Sequence, residues 1–232
     1  EGHAGHISSV ALSPDGTLAL TGSYDGTARL WSAVTGECIR TLEHQLPPTS
    51  HYLRGVWSVA FSPNGLLVLT GSYRNRLHDR SARLWRTMTG ECMRTFDGNT
   101  SSVAFSPDGT LVLTGPNDKT VKLWSAVTGE CIRTFKEDDG SHKHVAFSPD
   151  GTLVLTGSGP FLQPLPSGPE HGSAKLWHAM TGECMRTFEG NGHALMSVAF
   201  SPDGTRVLTG SLDNNVKIWN AVTGECDRSF DL

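Results

Sequence analysis

Histidines are the residues of this sequence whose type and number first suggest chemistry. The chain has ten, and nine of them fall between strongly repeated phrases, where loops are expected. His142 and His144 are two residues apart and follow Asp138 and Asp139. Because alternate residues of a strand face the same side, such a pair could bind a metal ion or sense protons. Their spacing matches no recognised zinc signature, so we predict no metal site.

Motifs of catalysis and of cofactor binding are absent from the sequence. The Gly-x-Ser turn of a hydrolase does not occur, and neither does a glycine-rich phosphate-binding loop. We therefore predict a non-catalytic protein without a cofactor. The net charge of −4 argues against a dedicated nucleic-acid or membrane binder. A cluster of Arg74, Arg76 and Arg80 leaves nucleic acid as an alternative partner, which a steep salt dependence of binding would reveal.

The five cysteines all follow Gly-Glu, at the same place in a repeated phrase. Equivalent positions of separate repeats are held apart by the repeat geometry, and no Cys-x-x-Cys pair occurs. Because disulfides are rare in reducing compartments, the pattern predicts free thiols and a cytoplasmic protein. No signal peptide and no apolar run of about 18 residues is visible, so we expect no membrane association. The cysteines are Cys38, Cys92, Cys131, Cys184 and Cys226.

The elements that must position these side chains come from one phrase that occurs five times. Val-Ala-Leu-Ser-Pro-Asp-Gly at 10–16 recurs with small changes at 59–65, 103–109, 145–151 and 198–204. Each copy continues through Leu-Thr-Gly to a tryptophan and closes on Thr-Gly-Glu-Cys. A period of about 40 residues indicates a solenoid, a propeller or another array.

Each copy contains four short alternating runs that predict strands, in the first copy 8–12, 17–23, 27–32 and 37–42. Ser-Pro-Asp-Gly joins the first two runs in a tight turn. Proline presets φ there, aspartate bonds back to the backbone, and glycine accepts a positive φ. Four antiparallel strands form one propeller blade, so we predict an all-β fold, a five-bladed β-propeller with four antiparallel strands per blade.

With its hairpin, closing tryptophan and period, the sequence resembles the WD40-repeat family over nearly the whole chain except three inserts. The Trp-Asp dipeptide that names the family is absent. The resemblance implies a buried, structural hydrogen-bond network of His, Thr, Asp and Trp in each blade. The matching positions are His3, Thr21, Asp25 and Trp31 in blade 1, Thr70, Asp79 and Trp85 in blade 2, Thr114, Asp118 and Trp124 in blade 3, and Thr209, Asp213 and Trp219 in blade 5.

Departures from this network indicate which blade should be least stable. Blades 2, 3 and 5 lack a clear histidine, although Asn191 and His193 lie near its place in blade 5. Blade 4 keeps Thr156 and Trp177, but His171 stands where the aspartate is expected. Blade 4 should therefore be the weakest.

The repeat count also predicts the domain organisation. We expect a monomer with a single domain over 1–232 and blades at approximately 3–43, 56–97, 100–136, 143–189 and 195–232. Because each blade runs from its first strand to its last, closure of the ring must depend on packing of blade 1 against blade 5. A piece excised from a larger array is the alternative.

Length variation between the copies marks the candidate binding surface. The turns between first and second strands and between third and fourth strands lie at one end of each blade, the bottom, and barely change. The other end, the top, carries the inserts 44–55, 74–80 and 159–172. Binding proteins commonly present variable loops on a rigid scaffold. Loops that have merely drifted in sequence are the alternative.

Two rings of positions follow from the family resemblance. It implies partner contacts just before the buried aspartate and at the start of the innermost strand. The first ring is Tyr24, His78, Asn117, Glu170 and Leu212, and the second is Ser8, Trp57, Ser101, Lys143 and Met196. With anchors from the inserts, the predicted partner-binding residues are Tyr24, Tyr52, Arg54, Trp57, Arg74, Arg76, His78, Lys143, Phe161, Leu162 and Leu212.

These observations together predict an interaction scaffold that binds a protein or peptide through the top face. Trp57 and the insert 44–55 form the predicted centre of that surface. Trp57 is the one tryptophan outside the repeated phrase, so no role within the blade explains it. Packing under the loop is the alternative role for this residue. A lectin-like or small-molecule-binding propeller that uses the same face is the alternative function, and the identity of the partner is left open.

Overall fold

The computed structural model describes residues 2–44, 54–74, 81–98, 100–116, 120–136, 144–159, 172–191 and 193–231. All regular secondary structure within these residues is β-strand. The strands form five sheets of four, and each sheet contains four strands that are consecutive in the sequence. Each sheet is one blade, and the prediction of an all-β, five-bladed propeller is confirmed.

The blades have closely similar strand limits. Blade 1 contains β1 (Ile7–Leu12), β2 (Leu18–Ser23), β3 (Thr27–Ser32) and β4 (Cys38–Glu43). Blade 2 contains β5 (Arg54–Phe61), β6 (Leu67–Arg74), β7 (Ser81–Arg86) and β8 (Cys92–Asp97). Blade 3 contains β9 (Thr100–Phe105), β10 (Leu111–Pro116), β11 (Thr120–Ser125) and β12 (Cys131–Lys136). Blade 4 contains β13 (His144–Phe147), β14 (Leu153–Ser158), β15 (Gly172–His178) and β16 (Cys184–Asn191). Blade 5 contains β17 (Leu195–Phe200), β18 (Arg206–Ser211), β19 (Asn215–Asn220) and β20 (Cys226–Asp231).

The chain divides into two compact units. The first contains Glu1–Thr114 and Trp124–Glu130, and the second contains Gly115–Leu123 and Cys131–Leu232. Blades 1 and 2 therefore belong to the first unit, blades 4 and 5 belong to the second, and the strands of blade 3 are divided between them. The single domain and the closure of blade 1 on blade 5 stay predictions.

The turn between the first two strands of a blade is fixed by its own side chains. In blade 1, Ser13 Oγ donates to Asp15 Oδ1 at 2.6 Å, and the same carboxylate oxygen accepts the Thr17 N–H at 3.0 Å. Gly16 follows with a φ of 71°, in the left-handed region that favours glycine. Blade 2 keeps the turn with Asn64 in the place of the aspartate, since its Oδ1 accepts from Ser62 Oγ at 2.8 Å. These bonds hold the turn between the first two strands through its own residues.

Alternate residues of the strands build an apolar core between neighbouring blades of a unit. In the first unit, Leu20 of β2 and Val56 of β5 are fully buried in a cluster with Trp85. In the second unit, Leu155 of β14 and Phe188 of β16 pack in a corresponding cluster. Full burial of such a side chain stabilises the fold by about 1.5–3 kcal/mol. The repeated core makes each unit a rigid support for its loops.

Neighbouring blades of a unit meet through one recurring contact, which we call the blade joint. A valine of the next blade's innermost strand packs on a glycine of the second strand. A Cβ placed on Gly22 would lie 3.1 Å from Val59 Cγ1, and one on Gly71 would lie 2.9 Å from Val103 Cγ1. Because a side chain at either position would collide with the valine, Gly22 and Gly71 are packing requirements of the joint.

An arginine of the outermost strand completes the blade joint. Arg40 Nε donates to the Met88 carbonyl oxygen at 2.8 Å, and this carbonyl lies in the bottom turn of the next blade. The equivalent bonds link Arg94 to the carbonyl of Val127, Arg133 to that of Met180 and Arg186 to that of Val222. The joint thus combines a buried apolar contact with a bond at its exposed rim.

Candidate interaction surface

Three aromatic rings meet on the top face where blades 1 and 2 adjoin. The ring centroids of Tyr24 and Trp57 are 5.1 Å apart with an angle of 43° between the planes. The ring of His6 lies 6.4 Å from that of Tyr24, edge-on at 82°. We call His6, Tyr24 and Trp57 the aromatic cluster. Tyr24 and His6 are exposed and Trp57 is half-buried, so the cluster offers an aromatic surface to solvent.

The turn that carries Tyr24 is held in place by its neighbours. The Tyr24 N–H donates to the His6 carbonyl oxygen at 2.9 Å, and the Asp25 N–H donates to Ser23 Oγ at 3.1 Å. The Asp25 carboxylate in turn accepts the Thr27 N–H at 2.9 Å. Because both flanks of Tyr24 are bonded, its ring is presented from a fixed backbone.

Asp25 belongs to the hydrogen-bond network that the sequence indicated for blade 1. His3 Nδ1 lies 2.8 Å from Asp25 Oδ2, His3 Nε2 lies 2.7 Å from Thr21 Oγ1, and Trp31 Nε1 donates to Thr21 Oγ1 at 2.8 Å. A neutral histidine with its proton on Nδ1 satisfies all three bonds, because the Thr21 hydroxyl then donates to Nε2. Burial by itself would raise the pKa of Asp25. Hydrogen bonds from Thr27 and His3 outweigh burial and hold that pKa below its ordinary value.

Blade 2 contains a histidine that the sequence analysis assigned to the insert 44–55. His44 is buried, its Nε2 lies 2.7 Å from Thr70 Oγ1, and Trp85 Nε1 donates to the same hydroxyl at 2.9 Å. The interpretation that blade 2 lacks this histidine was therefore wrong. His44 lies 26 residues before its threonine, whereas His3 lies 18 before Thr21. The inserted residues that follow His44 displaced it from the expected register.

In blades 3, 4 and 5 the tryptophan keeps its bond to the threonine of Leu-Thr-Gly, at 2.9–3.0 Å. The pairs are Trp124 with Thr114, Trp177 with Thr156, and Trp219 with Thr209. In blade 5, Asp213 Oδ1 accepts the Asn215 N–H at 3.2 Å, and His193 is exposed. Asp79, Asp118 and His171 lie outside the described residues, so the expected weakness of blade 4 stays a prediction.

A β-bulge explains how Trp57 reaches the aromatic cluster. In the pairing of β5 with β6, Val56 opposes Ser72 and Ser58 opposes Gly71, which leaves Trp57 as an extra residue. A bulge re-aims the side chain that it carries. The expectation that Trp57 begins the innermost strand was wrong, because β5 begins at Arg54.

The same bulge occurs at the matching places of blades 1 and 5. Ser8 is passed over between Ile7 and Ser9, and Met196 between Leu195 and Ser197. Ser8 Oγ donates to the Val56 carbonyl oxygen, and Met196 is 41% exposed. Three members of the second predicted ring thus share one backbone feature, which the sequence pattern alone did not reveal.

A close approach at Gly55 brings the two blades together under the cluster. A Cβ on this residue would lie 2.8 Å from Tyr24 Cδ1 and 3.0 Å from Tyr24 Cα. Real Cβ atoms keep a longer distance from backbone atoms, so a side chain here would push Tyr24 away. The sequence places Gly55 in the insert 44–55, and no feature of the sequence distinguishes it from the other residues of that insert.

The two inserts of blade 2 are attached to strand ends that pair directly. Arg54 at the start of β5 opposes Arg74 at the end of β6. The strand ends that flank the two inserts are therefore adjacent.

The remaining predicted contacts are divided between the second unit and undescribed segments. Leu212 of blade 5 holds the place that Tyr24 holds in blade 1, because its N–H donates to the Ala194 carbonyl oxygen at 3.0 Å and it is 45% exposed. The side chains of Arg54 and Arg74 are not described. Tyr52, Arg76, His78, Lys143, Phe161 and Leu162 lie outside the described residues.

Local hydrogen bonds lower the pKa of several carboxylates among the described residues. Besides Asp25, the pKa is lowered for Asp15, Asp108, Asp150 and Asp203. In all four the main cause is the hydrogen bond from the serine of the Ser-Pro-Asp-Gly turn, and the pKa of Asp203 falls to about 2. Such carboxylates stabilise turns and give no indication of a catalytic acid or base.

The described part of the chain offers neither a metal-binding group nor a membrane-spanning helix. The described residues contain no group of three or more His, Cys, Asp and Glu side chains that could hold a metal ion. His142 lies outside them. No helix in the described ranges is long and apolar enough to cross a membrane. All five cysteines are exposed and free.

Comparison with known proteins gives one family. The family model described as "WD domain, G-beta repeat" (WD40) matches residues 1–32, 36–86, 90–125, 129–178 and 182–220, which is most of the chain. Similar relatives include WD repeat-containing protein 86 of Homo sapiens, 56% identical over 41 residues, which are 18% of this chain and 11% of that protein. Small ribosomal subunit protein RACK1y of Oryza sativa subsp. japonica is 44% identical over 43 residues, 18% of this chain and 13% of that protein.

A third relative, WD repeat-containing protein 18 of Homo sapiens, is 38% identical over 50 residues, 22% of this chain and 12% of that protein. The matched part of the chain therefore covers only 11–13% of the length of these three relatives. Each match has about the length of one repeat, so these relatives identify the kind of repeat that the chain contains.

Proposed function

The chain belongs to the WD40 family, and on that premise we propose that it is a non-catalytic scaffold that binds a peptide segment of a protein partner through the top face of blades 1 and 2. Proteins of this family generally serve as protein-interaction scaffolds. The proposal places the centre of binding at the aromatic cluster.

The single observation that carries this proposal is the Tyr24–Trp57 pair. Exposed aromatic rings on a rigid backbone bind with little loss of conformational entropy, and tyrosine and tryptophan are enriched among the residues that dominate binding energy. The bulge and the bonded turn hold both rings in place before any partner arrives. A preorganised surface of this kind costs less to bind than one that must be ordered.

The paired strand ends beside the cluster suggest the chemistry of the peptide. Arg54 and Arg74 occupy opposite positions of β5 and β6, a few residues from Trp57. An acidic side chain forms charge-assisted hydrogen bonds with arginine. We therefore propose a peptide with an apolar or aromatic residue for the cluster and an acidic residue close to it in sequence.

Localisation follows as part of the same proposal. The five exposed free thiols suit a reducing compartment, and one similar protein carries a small ribosomal subunit name. We place the protein in the cytoplasm on these grounds.

Selection of binding peptides tests the proposal without knowledge of the partner. A displayed random peptide library is panned on the wild-type protein, and the enriched peptides are then titrated against Trp57→Ala and Tyr24→Ala. Each variant should weaken binding by about 30-fold, since a central aromatic anchor contributes about 2 kcal/mol. Val127→Ala is the matched control, because it truncates an apolar residue that is 71% exposed in a bottom turn.

Thermal melting separates a binding role of Trp57 from a structural one. Lost binding with an unchanged melting temperature supports the proposal, whereas a lowered melting temperature with binding intact at low temperature leaves Trp57 only a packing role. Peptides that bind all four proteins equally would contradict the site. A glycan array run with the same proteins tests the alternative, which gains support if sugars bind in a Trp57-dependent manner and peptides do not.

A further inference from the structure

The bottom turns keep their lengths in all five blades, but blade 2 differs from the other four in the residues that these turns expose. The turn between the first two strands ends on threonine in blades 1, 3, 4 and 5 and on Leu66 in blade 2. The residue after the closing tryptophan is serine, histidine or asparagine in those blades and is Arg86 in blade 2. Leu66 is 63% exposed, and Arg86 and Met88 are exposed as well. All three residues belong to the first unit.

Leu66 gives up a hydrogen bond that the other blades use to fix the turn. In blade 1 the Thr17 hydroxyl donates to the Asp15 carboxylate at 2.9 Å, and the threonines of blades 3, 4 and 5 make the same bond at 2.8–2.9 Å. Blade 2 keeps the backbone bond of the turn, since the Leu66 N–H donates to Asn64 Oδ1 at 3.0 Å. A leucine side chain has no hydroxyl to donate, so the turn gains nothing from it.

Arg86 gives up a second bond of the same kind. In the other blades the residue after the tryptophan accepts the N–H of the threonine three residues later, at 2.9–3.2 Å. The arginine side chain has only donors and no acceptor, so Arg86 cannot make this bond. Departures from a local rule that the rest of a fold obeys are expected at functional sites. Two of them in adjoining turns make the bottom of blade 2 a candidate site.

The two altered turns are fastened to each other, so their exposed side chains start from a fixed base. The Thr87 N–H donates to the Leu66 carbonyl oxygen at 3.0 Å, and the Thr87 hydroxyl donates to the Gly65 carbonyl oxygen at 2.8 Å. The other blades have alanine at this place, which can make only the first of these bonds. The additional bond strengthens the link between the turn of Leu66 and the turn of Met88. A surface that is ordered before binding costs less to bind.

Two guanidinium groups lie beside these turns. Arg86 opposes Leu67, the residue that follows the exposed leucine, and its Nε lies 3.3 Å from Glu91 Oε2 in an ion pair whose side chains are both more than half exposed. Arg40 of blade 1 is exposed, and its Nε donates to the Met88 carbonyl oxygen at 2.8 Å. An exposed ion pair contributes little to stability, so the Arg86 guanidinium has donors to share with a further carboxylate. We call the following residues the blade 2 patch: Arg40, Leu66, Arg86 and Met88.

The charge at the bottom of blade 2 also differs from that of its neighbour. The bottom turns of blade 3 carry the carboxylates of Asp108 and Glu130 and no cationic residue, which gives two negative charges. In blade 2 the neutral Asn64 holds the place of the aspartate, and Arg86 offsets Glu91. An acidic segment is therefore repelled by the bottom of blade 3, whereas it meets two arginines at blade 2.

We propose that the blade 2 patch is a second docking site, which binds a protein segment that has an apolar residue flanked by acidic residues. The apolar residue packs on Leu66 and Met88, and carboxylates of the segment accept hydrogen bonds from Arg86 and Arg40. Exposed apolar side chains rimmed by charged ones are typical of a protein contact. The patch lies at the end of blade 2 opposite to the aromatic cluster, so it does not depend on the function proposed for the top face.

Substitutions taken from blade 3 remove the patch and bring no foreign residue into the turns. Leu66→Thr gives blade 2 the equivalent of Thr110, and Arg86→Ser gives it the equivalent of Ser125. Both changes can restore the bonds described for the other blades, so both variants should fold. Val127→Thr is the matched control, because it removes apolar surface from a side chain that is 71% exposed in a bottom turn of blade 3.

Two displayed peptide libraries of equal diversity serve as probes, one of apolar and acidic residues and the other of apolar and basic residues. Both are panned on Trp57→Ala, in which the proposed top site is disabled, and enriched peptides are titrated in solution. The acidic library should yield peptides that bind Leu66→Thr and Arg86→Ser about tenfold more weakly than wild type. Trp57→Ala and Val127→Thr should bind these peptides as wild type does. The affinity should fall as salt is raised, because exposed charges contribute to it.

Four results would overturn the proposal. An acidic library without any enriched peptide would show that the patch binds no such segment, and acidic peptides that bind Leu66→Thr and Arg86→Ser as tightly as wild type would place their contact elsewhere. Basic peptides whose binding is lost with Leu66→Thr would show that the partner has the opposite charge. A wild type that dimerises in light scattering, while Leu66→Thr stays monomeric, would assign the patch to a second copy of the chain. Melting curves verify that each variant is folded.

Discussion

The network of blade 2 allows a quantitative test of what the buried threonine contributes. Thr70 is fully buried, and its hydroxyl is bonded to His44 Nε2 at 2.7 Å and to Trp85 Nε1 at 2.9 Å. Thr70→Val keeps the shape of the side chain and removes both bonds. The change therefore isolates hydrogen bonding from packing.

The expected magnitude follows from the groups that lose their partner. His44 and Trp85 are both buried, and each polar group left unsatisfied costs about 1–3 kcal/mol. Two such groups cost about 2–6 kcal/mol, and the additional buried methyl group offsets at most about 1 kcal/mol. We expect Thr70→Val to lower the free energy of unfolding by about 3 kcal/mol.

Urea unfolding followed by circular dichroism measures the change. Thr95→Val is the matched control, because Thr95 is an exposed threonine of β8 in the same blade, and it should alter the free energy by at most about 0.5 kcal/mol. If Thr70→Val unfolds within about 0.5 kcal/mol of wild type, the two bonds do not stabilise the blade. In that case the losses of unfolding free energy caused by Thr70→Val and His44→Ala should add in the double variant. If the bonds are coupled, the double variant should lose clearly less than the sum of the two single losses.

Three further outcomes follow from contacts described above. Gly55→Ala should lower the melting temperature and weaken peptide binding, because its Cβ would lie 3.0 Å from Tyr24 Cα. Gly210→Ala should leave melting unchanged, because no atom of the described residues lies within 4 Å of a Cβ on Gly210. Asp203 has a folded pKa of about 2, below the ordinary 3.8, so its ionised form stabilises the fold at neutral pH and this contribution disappears as the pH falls from about 4 through about 2. Asp203→Asn should reduce the loss of stability over that interval in acid titrations, and an unchanged profile would contradict the assignment. A thiol reagent should modify all five cysteines of the native protein at rates close to those of the unfolded chain, since every one is exposed.

The repeated features were predictable from the sequence because each depends on residues close together in the chain. The Ser-Pro-Asp-Gly turn is held by bonds within five residues, so its conformation follows from its own composition. The four-strand pattern repeats with the same hairpins, and the sheet order follows from short connections. The bond between the tryptophan and the threonine was indicated by a near-constant spacing.

The features that escaped prediction depend on segments that are distant in sequence or irregular in backbone. His44 was separated from Thr70 by inserted residues, so spacing no longer identified it. The bulge at Trp57 is defined by which residues of β5 oppose those of β6, and this pairing does not follow from the composition of β5 alone. The contact of Gly55 with Tyr24 joins two blades, and no local pattern records it.

The bulge has a consequence for how this surface changes during evolution. The residue in the bulge makes no ladder pairing, and the described bulges hold serine, tryptophan and methionine at one equivalent place, in Ser8, Trp57 and Met196. The residues that follow in the same strands, Val-Ala and then Leu or Phe, scarcely vary between the copies. Selection can therefore alter the recognition chemistry of one blade by a single substitution while the other blades and the fold are left as they were. A duplicated repeat with such a bulge can therefore differ from its copy in specificity and keep the same fold.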